Sequence, residues 1–256
     1  MTEEFTDPNA VPSLLSAPAR VAFSIVTFGD GWPEDFVRLA NGLSAHCAHL
    51  DYELVAVSNA SDDLRAAAEH VGARVVDFKQ RIGFGAGRNA GILQALGEVV
   101  VIADTSIEPV GDFLSPLGAA LADRSIGMAG AWGLVTDDMR SFEEATGSEV
   151  DALQAYCMAF RRADVAAPDR RADVETVGMF DPKYKFYRNA DIDFSMRWRA
   201  ANYKIVALEL PLLRHTHHEW ESLSETEREK KSRDNFARFL RSWGGYGQTS
   251  GSRRDE

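Results

Sequence analysis

The amino-acid sequence predicts an α/β fold: a Rossmann-like, mostly parallel sheet flanked by helices, followed by a smaller mixed region. Three observations carry this expectation. Between residues 21 and 104, strand-length apolar runs alternate with helical periods in the order β-α-β-α-β-α-β. The strands are nearly continuous in Val and Ile, which suits a sheet buried on both faces and joined by right-handed crossovers. The chain of 256 residues is 45% hydrophobic and includes 14 Phe and 5 Trp, enough for a core of ordinary globular size.

Residues 1–19, with Pro8, Pro12 and Pro18 among small polar residues, read as a flexible leader outside the first regular element. The first strand is 21-VAFSIVTF-28. Behind the breaker Gly29-Asp30-Gly31, residues Phe36, Leu39, Ala40, Leu43 and Cys47 recur at helical spacing with one buried stripe. The run 52-YELVAVSN-59 is a strand, Leu64, Ala67, Ala68 and Val71 mark a second helix, and 74-RVVDF-78 is a third strand. A glycine-rich turn follows, then a helix marked by Ile92, Leu93 and Leu96, and the strand 98-EVVVIAD-104. Phe113, Leu114, Leu117 and Leu121 fit another helix, and 127-GMAGAWGLV-135 a strand interrupted by glycine. Residues 136–151 are acidic and loop-like, and 161–175 form a charged connection holding four arginines. Helical period returns from Asp191 to Tyr203, 205-IVALEL-210 is a strand, and Phe236, Phe239, Leu240 and Trp243 stripe the last helix. The expected division is one domain over 20–246 (20–110, 111–222 and a C-terminal helix over 223–246), with a disordered tail over 247–256.

The formal charge of −11 and pI near 5.1 leave no basic face for phosphate neutralisation, which argues against nucleic acid as a partner. Cys47 and Cys157 read as two reduced, buried thiols rather than a disulfide framework or a metal pair. No window approaches the roughly 18 to 20 uncharged apolar residues of a membrane span, and Met-Thr-Glu-Glu-Phe-Thr-Asp is acidic where a signal peptide is basic. A cytoplasmic protein is the expectation, with the oligomeric state left open.

Open parallel sheets bind ligands beyond the carboxyl ends of their strands, which here are Thr27 and Phe28, Ser58 and Asn59, Phe78, and Asp104. Four constellations lie at or near such ends. In 83-GFGAGRNAG-91, glycines at a strand-to-helix junction offer backbone N–H groups to a phosphate; close packing is the plainer alternative. Gly85, Gly87 and Ala90 also match G-x-G-x-x-A with Asp104 lying 19 positions beyond Gly85, so a dinucleotide-binding oxidoreductase is a rival. Asp104 itself, ending an apolar strand, suits Mg²⁺ or Mn²⁺ against a diphosphate, or else an Asx turn. In 189-NADIDFSMRW-198, Asp191 and Asp193 start a helix; they serve as cap and first-turn acid, unless Asp191 points into the crevice and acts as a base. In 215-HTHH-218, three of the six histidines cluster after a strand, as a metal ligand or as a polar surface turn.

The order of six segments adds to this. They are Thr27-Phe28-Gly29, 57-VSNASDD-63, 82-IGFGAGRNAGI-92, 101-VIADTSIEP-109, 151-DALQAYCMAFRRADV-165 and 177-VGMFDPKYKFYRNADIDFSMRWRAANYKIV-206. Over about residues 21–218 this series resembles family 2 glycosyltransferases of the GT-A fold, particularly small rhamnosyltransferase-like members. The resemblance implies a nucleotide-sugar-binding half over 20–110 and an acceptor-side half over 111–222. It implies donor contacts at Thr27, Asn59, Asp62, Gly83, Arg88, Asn89 and Asp104. Asp104 corresponds to the metal-binding acid, and His215 falls where the family often completes the metal or diphosphate site. Asp191 corresponds to the base.

The implied reaction is inverting transfer of a sugar from a nucleotide diphosphate to an acceptor hydroxyl. An acidic chain stabilises the leaving diphosphate best with a bound cation, and one Asp with one His favours Mn²⁺ over Mg²⁺. Trp132, Trp198 and Trp220 are aromatic planes suited to sugar rings or to packing, with Trp132 and Trp220 the candidates for the acceptor. Three positions depart from the family: Ser58 replaces the base-contacting aspartate, Ile102 the first metal-motif acid, and Ala190 the glutamate before Asp191. They keep open a noncatalytic nucleotide-sugar or glycan binder as a second function class.

Overall fold

The computed structural model describes residues 2–29, 31–165 and 177–246. Its first half runs β1 (Thr2–Phe5), β2 (Val21–Gly29), α1 (Pro33–Cys47), β3 (Tyr52–Asn59), α2 (Asp62–His70), β4 (Arg74–Phe78), α3 (Phe84–Gln94), β5 (Gly97–Ala103), β6 (Ile107–Pro109) and α4 (Leu114–Leu121). The second half runs β7 (Ile126–Gly130), β8 (Gly133–Val135), β9 (Glu143–Ala145), β10 (Ser148–Glu149), β11 (Ala152–Leu153), β12 (Cys157–Arg161), α5 (Ala190–Ala200), β13 (Lys204–Ala207), β14 (Leu212–Arg214), α6 (His218–Ser222) and α7 (Glu225–Trp243).

Nine strands form one sheet in the order β1-β4-β3-β2-β5-β12-β7-β13-β10. The first five are mutually parallel, and β12 then pairs antiparallel with both β5 and β7. Period-two alternation explains how β5 serves both faces. Val100 and Ile102 join the layer containing α3 and α5, while Val101 and Ala103 join the layer containing α1 and α4. β8, β9 and β11 make a small second sheet, and β6 pairs antiparallel with β14. Helix α7 lays Phe239 against Ile192 and Met196 of α5. Its start is fixed by a capping box between Ser224 and Glu227. Cys47 and Cys157 are free and buried.

Several sequence expectations need correction. Residues 2–5 are a strand and not part of a flexible leader: Phe5 packs on Phe78 with ring centroids 5.9 Å apart. The segment after it is stitched down as well, because Gln94 donates to the carbonyl of Pro12 and Arg162 to those of Leu14 and Ala17. The strand expected over 127–135 is two strands, broken where Trp132 adopts φ 53°. The loop-like stretch 136–151 contains β9 and β10, and the strand expected over 205–210 ends at Ala207. The expected tail, 247–256, and most of the charged connection, 166–176, lie outside the described residues.

The glycine-rich segment differs most in meaning. Helix α3 already begins at Phe84, so Gly85, Gly87 and Gly91 are helical rather than in a phosphate loop. A Cβ on Gly87 would overlap the Phe28 ring, and one on Gly91 the Val26 side chain. These glycines let α3 lie close on β2. The dinucleotide reading, which needs its first glycines in the turn before the helix, is set aside on this geometry. Gly87→Ala is expected to cost about 1–3 kcal/mol by overpacking, measured as a lower urea midpoint with an unchanged slope.

Candidate active site

The strand ends expected to carry chemistry border two adjoining cavities. The smaller, about 150 Å³, lies at the ends of β2 and β3 and is lined by Phe28, Gly29, Asn59 and Ile82. Its opposite wall contains Trp32, Asp35 and His218. His218 Nδ1 is 2.6 Å from Asp35 Oδ2, and its ring stacks on Trp32 with centroids 5.4 Å apart, so α6 is tied to α1 across this cavity. The larger cavity, about 630 Å³, is bounded by Tyr156, Tyr187, Asp191 and Phe236, among others. Phe84, Asp104 and His217 line both.

Asp104 follows the last residue of β5, where the chain turns sharply. Its N–H donates to the Tyr156 carbonyl, and its Oδ1 accepts from the N–H and hydroxyl of Ser106 at 2.9 and 2.7 Å. The Asx turn and the cavity-facing carboxylate are therefore one residue: Oδ1 shapes the turn and Oδ2 is presented inward. Arg88, 0% exposed on α3, places Nη2 3.3 Å from Oδ2, while its Nη1 reaches the carbonyls of Val26 and Ala103. Burial opposes ionisation of Asp104, but His217, Arg88 and Ser106 outweigh it and hold the carboxyl below its usual range. Desolvation lowers the pKa of Arg88, countered by Asp104.

Asp191 is built by a different device. Asn189 takes the left-handed conformation, φ 64°, which asparagine tolerates, and starts α5. Ser195, one turn on, accepts from Leu153 N–H at 3.1 Å and so fastens α5 to β11. That contact sets Asp191 beside the chain after β11, where its oxygens accept from Ile192 N–H at 2.9 Å and Ala155 N–H at 3.3 Å. Burial dominates and raises its carboxyl to about 6, against the pull of these two N–H groups and of Arg188. Asp193 turns the other way, bonded to Arg197 and to Trp243 Nε1. The two carboxylates thus divide: Asp191 reaches the cavity, and Asp193 holds α7.

The histidine expected beside Asp104 is the wrong member of its cluster. His215 continues the β6–β14 pairing through its N–H to the Ser106 carbonyl, and its Nε2 lies 2.6 Å from Glu108. His217, two residues on, has Nε2 3.8 Å from Asp104 Oδ2 and its ring 4.5 Å from that of Tyr187. Its Nδ1 accepts a long bond, 3.4 Å, from Trp220 N–H at the start of α6.

Of the donor contacts expected from sequence, Asn59 and Asp104 line these cavities. Asn59 Oδ1 accepts from Ile82 N–H at 2.6 Å. Thr27 is buried within β2, and Asp62 is an exposed first-turn acid of α2 paired with Arg65 at 2.9 Å. Gly83 caps α3 beneath Lys185, and Asn89 donates to the Phe180 carbonyl. Neither acceptor candidate is among the lining residues. Trp132 meets Tyr156 edge-on at 5.6 Å, and the guanidinium groups of Arg188 and Arg228 each lie 5.1 Å from the ring centroid of Trp220. Trp198 is a core residue, 0% exposed. Of the departures, Ile102 is buried within β5 and Ser58 donates to the Ser61 carbonyl, so neither reaches the cavities. Missed by the sequence reading were His217, the Asp35–His218 pair and the basic side chains around both cavities. Only the histidines had a signal, in 215-HTHH-218.

Comparison with known proteins places this architecture. The crystal structure of GalNAc-T7 with UDP, GalNAc and Mn²⁺ matches with TM-score 0.62 and 15% identity, over 87% of this chain and 48% of that one. Mannosyltransferase PcManGT from Pyrobaculum calidifontis, in complex with GDP-Man and Mn²⁺, matches with TM-score 0.58 and 19% identity, over 88% of this chain and 66% of that one. Glucosyl-3-phosphoglycerate synthase from Mycobacterium tuberculosis, in complex with phosphoglyceric acid, gives TM-score 0.57 and 16% identity, over 95% and 87%. The chain thus spans about half the length of the first of these, just under two thirds of the second and most of the third. Curated proteins give no sequence match. Among the described residues no helix is long and apolar enough to cross a membrane. The shared fold is GT-A. The family profile described as "Glycosyl transferase family 2" matches residues 34–189, more than half of the sequence, and the chain belongs to that family.

Proposed function

We propose that the chain is an inverting glycosyltransferase that moves a sugar from a nucleotide diphosphate donor to an acceptor hydroxyl. The observation that carries this reading is that the two cavities meet at Asp104 and His217, while Asp191 borders the larger one alone. A nucleoside along the strand ends in the smaller cavity, with its diphosphate at Asp104, offers its sugar to the larger. Asp191 then removes the proton of a hydroxyl attacking from the side away from the diphosphate. Its raised pKa, about 6, makes it a stronger base than an ordinary carboxylate and still ionised at neutral pH. Arg81, Lys185 and Lys231 border the smaller cavity and supply positive charge toward the leaving group.

The residues present fit one divalent ion. Two ligands of a single ion, each about 2.0 to 2.2 Å from it, stand about 3 to 4 Å apart, and Asp104 Oδ2 and His217 Nε2 are 3.8 Å apart. Coordination through Nε2 puts the ring proton on Nδ1 and gives up only the long Trp220 contact. Among the described residues no cluster of three or more His, Cys, Asp or Glu could hold a metal, so Asp104 and His217 would hold the ion together with the donor's diphosphate and water. Mn²⁺ suits this mixed donor set better than Mg²⁺. When bound, the ion neutralises charge on the leaving diphosphate. The resemblance to rhamnosyltransferase-like members suits a hexose donor.

Thermal-shift screening of UDP, GDP and their sugars, with and without Mn²⁺, tests this. A donor at 100 times its dissociation constant adds roughly 2.7 kcal/mol. The increment is expected to depend on Mn²⁺, to fall at least tenfold in affinity with His217→Ala, and to survive His215→Ala. No shift with any nucleotide sugar, or the reverse order of the two histidines, contradicts it.

A further inference from the structure

The larger cavity does not share the acidity of the chain: three arginines match the three acids of its lining. In a protein of formal charge −11, three arginines from separate segments, Arg140, Arg188 and Arg233, line it. None of the three forms a salt bridge among the described residues. The acids around them are otherwise engaged. Glu144 accepts from Gln154 at 2.9 Å and Arg214 at 3.2 Å, Asp104 faces Arg88, and Asp138 is spent on the N–H groups of Arg140 and Ser141. Of the acids lining the cavity, Asp191 is the one whose oxygens accept only from backbone N–H groups, with Arg188 near enough to act on it.

The arrangement is also held in place. Asn235, 7% exposed on α7, donates through its amide to the carbonyls of Phe186 and Arg188, both at 2.8 Å. Arg233 stands two residues earlier on the same helix, so one element supplies an arginine and clamps the turn bearing another. Arg188 lies over Trp220, 5.1 Å from the ring centroid, and close enough to Asp191 to favour its carboxylate. Three exposed arginines that border one cavity without a salt bridge offer an oxyanion guanidinium groups, which bind it bidentately and with more directionality than lysine does.

We propose that the acceptor carries an anionic group, a phosphate or a carboxylate, which Arg140, Arg188 and Arg233 receive while its hydroxyl meets Asp191. This rests on the glycosyltransferase reading for the word acceptor, but the anion site itself does not. It is distinct from the donor diphosphate, whose basic neighbours Arg81, Lys185 and Lys231 border the other cavity. The same charges turn away neutral alcohols of equal size, which leave three guanidinium groups without a partner.

The test is calorimetric titration of the full chain with phenyl phosphate, benzoate and benzyl alcohol, in the presence of saturating UDP and Mn²⁺. At least one of the two anions is expected to bind saturably, and which one identifies the group; benzyl alcohol is expected not to bind. The double variant Arg188→Gln/Arg233→Gln should weaken the anion at least tenfold, Arg140→Gln should weaken it less, and Arg188→Lys/Arg233→Lys should fall between the parent and the double Gln variant. Arg124→Gln, on an exposed turn, serves as the control for charge alone. Failure of both anions to bind, equal binding of the alcohol, displacement of the anion by UDP, or indifference to the arginine variants overturns the proposal. The same titration without UDP keeps the two readings apart: if UDP never binds, the donor assignment fails while the arginine dependence is still read.

Discussion

Asp191→Asn is expected to lower sugar transfer by about 10² to 10⁴, the usual contribution of a well-placed base, while donor affinity stays at the parent's level. The amide keeps the shape of the carboxyl, and its single oxygen can still accept from the N–H of Ile192, the shorter of the two bonds, but it gives up the long bond from Ala155 and cannot take a proton. The parent's pH dependence follows from the same carboxyl. Burial raises its pKa to about 6, so the base is protonated below that pH and ionised above it. Activity should therefore rise with pH through about 6 and then level, falling about tenfold for each unit on the acid side. In Asp191→Asn the residual rate should lose this limb. A variant with parental turnover, or a parent whose rate is flat from pH 5 to 7, removes Asp191 from the role.

Asp104→Ala is expected to abolish Mn²⁺-dependent nucleotide binding and also to destabilise the fold. The second effect comes from Arg88, which is 0% exposed and has Nε without a hydrogen-bond partner among the described residues. Without Asp104 its charge is left with two long carbonyl contacts, 3.4 and 3.5 Å. Removing one member of a buried pair typically costs about 3–5 kcal/mol, and at about 2–4 °C per kcal/mol for a chain of this size the midpoint should fall by about 6 °C or more. The double variant Arg88→Met/Asp104→Ala removes both charges and should recover most of that stability without recovering nucleotide binding. Stability and binding restored together would mean that Asp104 matters only as the partner of Arg88.

What the sequence discloses follows the range of the interactions involved. β3 and β4 coincide with the runs read at 52–59 and 74–78, because central parallel strands are written as local apolar segments. Asp104 and Asp191 were legible for a related reason: a strand end and a helix start are local features that fix where a side chain leaves the backbone. His217 was not, because choosing between it and His215 depends on how far the pairing of β14 with β6 continues, and β6 is a three-residue strand. β1 was hidden likewise, since four residues with two adjacent glutamates show no period and depend on β4 for their hydrogen bonds. The glycines of 83–91 were visible as a feature but not as a function, since a helical packing glycine and a phosphate-loop glycine look the same until the helix start is known. Arg140, Arg188 and Arg233 come from a loop, a turn and a helix, and only the tertiary fold makes them neighbours.

The most direct measurement is release of nucleoside diphosphate from a panel of nucleotide sugars with Mn²⁺, run on the parent, Asp191→Asn and the Arg88→Met/Asp104→Ala pair side by side. The cleft described here predicts turnover of at least one donor by the parent and loss of it in both variants, with donor binding kept only in Asp191→Asn. Turnover that persists in the variants, or a parent that binds donors and releases nothing with water or any alcohol present, contradicts it.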